Sequence, residues 1–228
     1  MKKKYFIFGS SSAIAEDLLK TINKNIKVVC LTSKFIKKIK NKNITYLKTD
    51  YSQKSIKKII DKEIDVKNKN IFLFFNGISE HRAFYHLKEK EINEIININF
   101  IIPILSTNII IKNHYLNNIT CIYFSSSRAL HVDKGIALYG ATKIGIESFS
   151  KSMALEYGNL GLNFRVISLG LMEGGLEKTI TDATKNSILK RSSIKKKIRI
   201  SELQKTINFV IDDNTGNGST IKCDNGYY

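Results

Sequence analysis

Tyr139 and Lys143 stand four residues apart in Tyr139-Gly140-Ala141-Thr142-Lys143, at the start of a helical pattern. Residues at i and i+4 share one face of a helix. A phenol ordinarily has a pKa of about 10 and is a poor acid or base at neutral pH. A neighbouring ammonium favours the phenolate, so Lys143 is expected to lower the pKa of Tyr139. Ser126, in the run Ser125-Ser126-Ser127, lies thirteen residues upstream. Its hydroxyl can hydrogen-bond the oxygen with which Tyr139 exchanges a proton. The chemistry is acid–base catalysis with oxyanion stabilisation on a carbonyl or alcohol, a protein's share of a hydride transfer. Taken alone, a Tyr-x-x-x-Lys pair also suits an exposed helix face.

A second cluster is suited to phosphate. Gly9-Ser10-Ser11-Ser12-Ala13-Ile14-Ala15 follows a short apolar run and opens a helical pattern. Such a turn aims backbone N–H groups and a helix N-terminus at a pyrophosphate. Gly9 can make the tight turn, Ser11 and Ser12 add hydroxyl donors, and a small residue at position 15 allows helix–strand packing. The methyl of Ala13 crowds the backbone approach that Ala13 and Ile14 would offer. A serine-rich helix cap has the same appearance. The next apolar run ends in Thr32-Ser33-Lys34 with no carboxylate. A carboxylate there would hold a ribose 2′-hydroxyl, whereas Ser33 and Lys34 can meet a 2′-phosphate. That favours NADP(H) over NAD(H).

These residues need elements that bring them together. Short apolar runs at 5–9, 26–31, 44–48, 71–76, 120–125, 164–169 and 219–223 read as strands. Helical patterns at 13–23, 52–64, 88–113, 136–157 and 201–211 separate most of them. The alternation predicts an α/β fold, a doubly wound, Rossmann-like parallel sheet of about seven strands with helices on both faces. Ligands of such sheets bind beyond the carboxyl ends of the strands, where both clusters fall. No linker or repeat divides residues 1–228, which are expected to form one domain.

At this point the chain resembles the short-chain dehydrogenase/reductase family over nearly its whole length. The matching pieces are the Gly9–Ala15 turn, Asp50 after the third strand, Asn76-Gly77 after the fourth, Asn97-Ile98-Asn99, Ser126, the Tyr139/Lys143 pair and the terminal Cys223-Asp224-Asn225-Gly226-Tyr227. The resemblance implies that Tyr139 donates the proton in carbonyl reduction and that Lys143 lowers its pKa and binds the nicotinamide ribose. It implies that Ser126 orients the substrate oxygen and that Asn99 helps hold a water linking Lys143 to solvent. Asp50 and Tyr51 would border the adenine, Asn76 and Gly77 the ribose side, and Leu171 would complete the cofactor contacts. Asp50 also reads as a helix cap. The chain departs from the family at Ala13 and Ala15, at Leu169-Gly170 in place of Pro-Gly, and at Gly174 where threonine is common.

Composition limits the partners. The 228 residues carry 37 Lys+Arg against 20 Asp+Glu, a net charge of +17. Only 5 of the cations are Arg, beside 32 Lys, 37 Ile and 21 Asn. Lys, Ile and Asn share AT-rich codons, and Arg is the side chain suited to phosphate and base-edge recognition. Nucleic acid and membrane are therefore not expected partners, although +17 keeps a basic surface-binding protein as a distant alternative. No apolar run approaches the ~20 residues of a membrane span. Three scattered cysteines fit buried thiols in a cytoplasmic protein rather than disulfides or zinc. The isoleucines of 91–111 cover more than one helical face, which points to a homodimer or homotetramer. The resemblance implies a small-molecule carbonyl or alcohol as substrate. Lys190, Arg191, Lys195, Lys196, Lys197 and Arg199 suit an acidic one, such as a 3-oxoacyl group on a carrier protein or a keto-sugar, or else form a solvated, mobile segment. A cofactor-binding scaffold with little turnover is the nearer alternative.

Overall fold

A computed structural model describes residues 2–34, 39–114, 118–131, 133–213 and 215–228. Seven strands form one sheet: β1 (Lys3–Phe8), β2 (Lys27–Thr32), β3 (Ile44–Lys48), β4 (Lys69–Phe74), β5 (Ile119–Ser126), β6 (Asn163–Leu169) and β7 (Thr220–Cys223). Their spatial order is β3-β2-β1-β4-β5-β6-β7, and every pairing is parallel. The doubly wound α/β expectation therefore stands. All eight residues of β5 are buried, as befits a strand covered on both faces.

Side-chain alternation along each strand divides the core in two. Tyr5 and Ile7 of β1 face one layer, with Leu18 of α1 (Ala13–Thr21) and Leu203 and Ile207 of α8 (Ile200–Asp212). Phe6 and Phe8 face the other, with Ile56 and Ile60 of α2 (Gln53–Glu63). Aromatic rings continue that layer across the strands: Phe6 stacks on Phe72 at 4.6 Å and Phe74 on Tyr123 at 5.0 Å. The strand order reverses between β1 and β4, which opens a crevice at their carboxyl ends.

The predicted helix at 88–113 is broken in pitch. It comprises α3 (Glu89–Ile96), a π-turn (Asn97–Ile101) and α4 (Ile102–His114). A π-turn takes an extra residue and re-aims the side chains within it; here Asn99 is turned inward and is 2 % exposed. Contrary to the expectation of no span-length segment, Glu89–His114 is long and apolar enough to cross a bilayer, but half of it is buried within the fold. Ile95, Ile102, Ile109, Ile110 and Ile111 are buried inside this chain, which leaves Ile101 exposed and Ile92, Ile96, Ile98 and Ile104 half-buried.

Two further helices follow the sites of interest. A short α5 (Ser127–Leu130) follows β5, and α6 (Ala137–Tyr157) begins two residues before Tyr139. Ahead of the basic cluster stands α7 (Asp182–Lys190), which buries Ile188. Bridges Met172–Ile198 and Ser192–Tyr227 fasten it to the fold. Its few apolar residues are spaced too sparsely to show a helical period in the sequence. Cys30 and Cys121 are buried as expected, while Cys223 is half-buried because β7 is an edge strand.

Candidate active site

The turn after β1 is held from three directions. Gly9 has φ +68, and a Cβ there would lie 2.8 Å from the Asn76 nitrogen, so close approach and backbone conformation both demand glycine. Its N–H donates to the Tyr51 hydroxyl at 2.9 Å, and that hydroxyl donates to the Leu31 carbonyl at 2.9 Å. Tyr51 thus braces the turn from below with its side chain, a task the sequence did not disclose. Ser12 caps α1, accepting from the Ala15 N–H. Ala15 is buried against the sheet.

Ser12, Ala13, Ile14, Asn76 and Gly77 line one wall of a cavity of about 310 Å³ at the carboxyl end of the sheet. Asn76 Oδ1 is buried there with no hydrogen-bond partner among the described residues. Asp50 stands outside the cavity, exposed, and accepts the Ser52 N–H at 2.9 Å ahead of α2. Ser11 is half-buried beside the turn, and Ser33 and Lys34 are exposed beyond β2. This is an open cradle of donors next to a helix N-terminus, and it fits a dinucleotide.

Ser126, Tyr139 and Lys143 line the same cavity. Ser126 ends β5 and stands beside the Tyr139 phenol. Lys143 is 5 % exposed and donates to the Phe124 carbonyl at 2.8 Å. Its Nζ lies 5.6 Å from the Tyr139 ring centre. Asn99 lies behind them: its Oδ1 accepts the Ile78 N–H at 2.9 Å, and its Nδ2 donates to the Ile78 carbonyl at 2.9 Å and to Thr142 Oγ1 at 3.2 Å. One amide side chain thereby joins the π-turn, the loop after β4 and helix α6.

The electrostatics correct one expectation. Burial raises the Tyr139 pKa above the ordinary phenol value; Ser126 and the Arg128 charge oppose the rise and Glu80 adds to it. Lys143 is not among the groups that shift it, and burial pushes the lysine's own pKa down to about 8. The site as folded therefore holds a neutral phenol, the form that can donate a proton.

The profile of a family described as enoyl-(acyl carrier protein) reductase matches residues 31–228. The chain belongs to the short-chain dehydrogenase/reductase family. Members are NAD(P)-dependent oxidoreductases, and so is this protein. It is similar to 3-oxoacyl-acyl-carrier-protein reductase FabG of Buchnera aphidicola subsp. Baizongia pistaciae, 27 % identical over 96 % of this chain and 93 % of that one. The Escherichia coli FabG is 24 % identical over 76 % and 73 %. In fold it is similar to ElxO with NADP bound, with a TM-score of 0.87 and 21 % identity over 100 % of this chain and 99 % of that chain. A 4-hydroxyisoleucine dehydrogenase complexed with NADH gives a TM-score of 0.82 and 21 % identity over 99 % and 98 %.

In this short-chain dehydrogenase/reductase the far side of the cavity is formed by Leu171, Gly174, Ile180 and Ile188, with His81 and Arg128 at its polar edge. Arg128 is held by Asp133 at 2.9 Å. Neither Arg128 nor Glu80 stood out in the sequence, since an isolated Arg and a loop Glu carry no motif. Of the basic cluster, Lys197 pairs with Glu177, Arg199 and Lys196 with Glu202, and Arg191 stacks over Tyr227 at 4.8 Å. Lys190 and Lys195 are left without a carboxylate partner among the described residues.

Proposed function

We propose that the protein reduces a ketone or aldehyde to an alcohol with NADPH as the preferred cofactor. The observation that carries this reading is the convergence of Ser126, Tyr139 and Lys143 on the cavity that begins at the Gly9 turn. Bound NADPH supplies the hydride to the carbonyl carbon. Ser126 holds the carbonyl oxygen, and Tyr139 Oη gives it a proton. The Lys143 ammonium stabilises the phenolate that remains and faces the ribose. Asn99 keeps α6 and the Ile78 loop in register for that transfer. Asn76 Oδ1 offers an acceptor to a ribose hydroxyl, and Lys34 a cation to the 2′-phosphate.

We infer that the substrate is a 3-oxoacyl group on a carrier or a keto-sugar. The names of the curated relatives support the first, and the net charge of +17 suits an acidic carrier. Exposed Ile101 and Ile144 flank the packing of Gly145 against Phe100, and a second copy covering them accounts for their exposure. The free thiols suit the cytoplasm.

Fluorescence titration with NADPH and NADH, then turnover of 3-oxoacyl thioesters, simple ketones and keto-sugars, tests the reading, with Tyr139→Phe as control. Binding without turnover of any of these, unchanged in Tyr139→Phe, would identify a cofactor-binding scaffold. No binding of either cofactor would refute the proposal.

A further inference from the structure

Helix α6 carries both Tyr139 and Lys143, yet it lacks a cap of its own. Ile136 precedes it and makes no side-chain hydrogen bond to its first turn. The first N–H groups of a helix need acceptors, and Ser, Thr, Asp or Asn ordinarily supplies one locally. Here the acceptor comes from a distant part of the chain. Glu80, in the loop after β4, accepts the Leu138 N–H at 2.8 Å and the Tyr139 N–H at 3.1 Å, both through Oε1.

Glu80 is 7 % exposed, and its second oxygen, Oε2, is buried with no hydrogen-bond partner among the described residues. A buried carboxylate oxygen without a partner is costly. The positive end of the helix dipole compensates part of that cost; a neutral cap at position 136 would avoid it. The carboxylate also has a consequence that such a cap would not have. It bonds the backbone of Tyr139 itself, and its charge acts on the phenol.

The same loop is fixed from its other end. Asn99 grips both backbone groups of Ile78, two residues before Glu80. Asn76, Gly77 and Ser79 of this loop line the cavity. Glu80 therefore ties the cofactor side of the cavity to the turn of helix that presents the proton donor. The groups facing the phenol are Ser126 from β5, Arg128 from α5, Lys143 from α6, and Glu80 and His81 from this loop.

We infer that Glu80 is a positioning residue for Tyr139, fixing the first turn of α6 and with it the placement of the phenol. The inference rests on the proposed reductase reading for its kinetics but not for its spectroscopy. Two variants separate its parts. Glu80→Gln keeps an acceptor and removes the charge; Glu80→Ala removes both. Tyr139 ionisation is read by near-ultraviolet difference titration against Tyr139→Phe, which needs no substrate. Kinetics and cofactor titration are run alongside.

In Glu80→Gln the Tyr139 ionisation should move to lower pH. The direction follows because removing a negative charge favours the phenolate. In Glu80→Ala, kcat should fall about tenfold or more, with cofactor affinity changed by less than about twofold. An unmoved Tyr139 ionisation in Glu80→Gln overturns the inference even if Glu80→Ala fails to fold. So does a Glu80→Ala protein that loses cofactor affinity in step with kcat, because that is a general structural role. If no carbonyl compound is reduced, the titration still reads the coupling of Glu80 to Tyr139, so the two failures are distinguishable.

Discussion

Lys143 offers the sharpest quantitative prediction, because its burial sets function against stability. Lys143 is 5 % exposed, its ammonium donates to the Phe124 carbonyl, and burial pushes its pKa down to about 8 from 10.5. At about 1.4 kcal/mol for each tenfold change, keeping it protonated in the folded state costs about 3 kcal/mol. The sign follows from linkage. Between about pH 8 and 10.5 the unfolded chain binds this proton and the folded chain does not, so stability rises with pH. Below about pH 8 both states hold the proton and the deficit is complete.

Replacing Lys143 by Met removes this dependence. The orphaned Phe124 carbonyl adds a penalty of about 1–3 kcal/mol that does not vary with pH. Urea unfolding of both proteins from about pH 7 to pH 10 should therefore give a gap that changes by about 2–3 kcal/mol in favour of the wild type as pH rises. Other tyrosines and cysteines titrate in both proteins and cancel. Curves that stay parallel across this window would refute the reasoning, since Lys143 would then have an ordinary pKa. Loss of carbonyl reduction in Lys143→Met is expected in addition, but it is not the deciding result.

Three other substitutions probe different parts of the structure. Tyr139→Phe should lower kcat by about a hundredfold to ten-thousandfold while NADPH titration stays near the wild-type value. Gly9→Ala places a methyl 2.8 Å from the Asn76 nitrogen at φ +68; urea unfolding should show a loss of about 2 kcal/mol, and NADPH affinity should fall. Asp213→Ala strips the carboxylate from Arg165, whose side chain is 1 % exposed and bonded to it at 2.9 Å. The cost should be about 3 kcal/mol in thermal or urea unfolding, because among the described residues the buried charge is left with the backbone carbonyl of residue 213 and Ser219.

The order and type of the main elements were legible because strands buried on both faces are continuously apolar and their helices are periodic. The Ser126, Tyr139 and Lys143 constellation was legible for a similar reason: a strand end and an i, i+4 pair are local geometry. Helix α7 was not, since its sparse apolar residues make no repeat. The π-turn that aims Asn99 inward was hidden as well, because pitch depends on packing against the sheet and α6 rather than on residue type. Tyr51 was read as a cofactor neighbour, and the fold uses its hydroxyl to hold Gly9 and Leu31.

The sequence by itself determined which chemistry is present: a phenol, an ammonium and a hydroxyl at the ends of elements that meet beyond a parallel sheet. Tertiary structure alone decided the state in which those groups stand. Burial leaves the phenol neutral and depresses the ammonium, against the simple expectation from a Tyr–Lys pair. The cap on helix α6 comes from Glu80, 57 residues before the helix begins at Ala137. Desolvation and contacts between distant residues depend on how the whole chain encloses a group, and no local window of sequence contains that information.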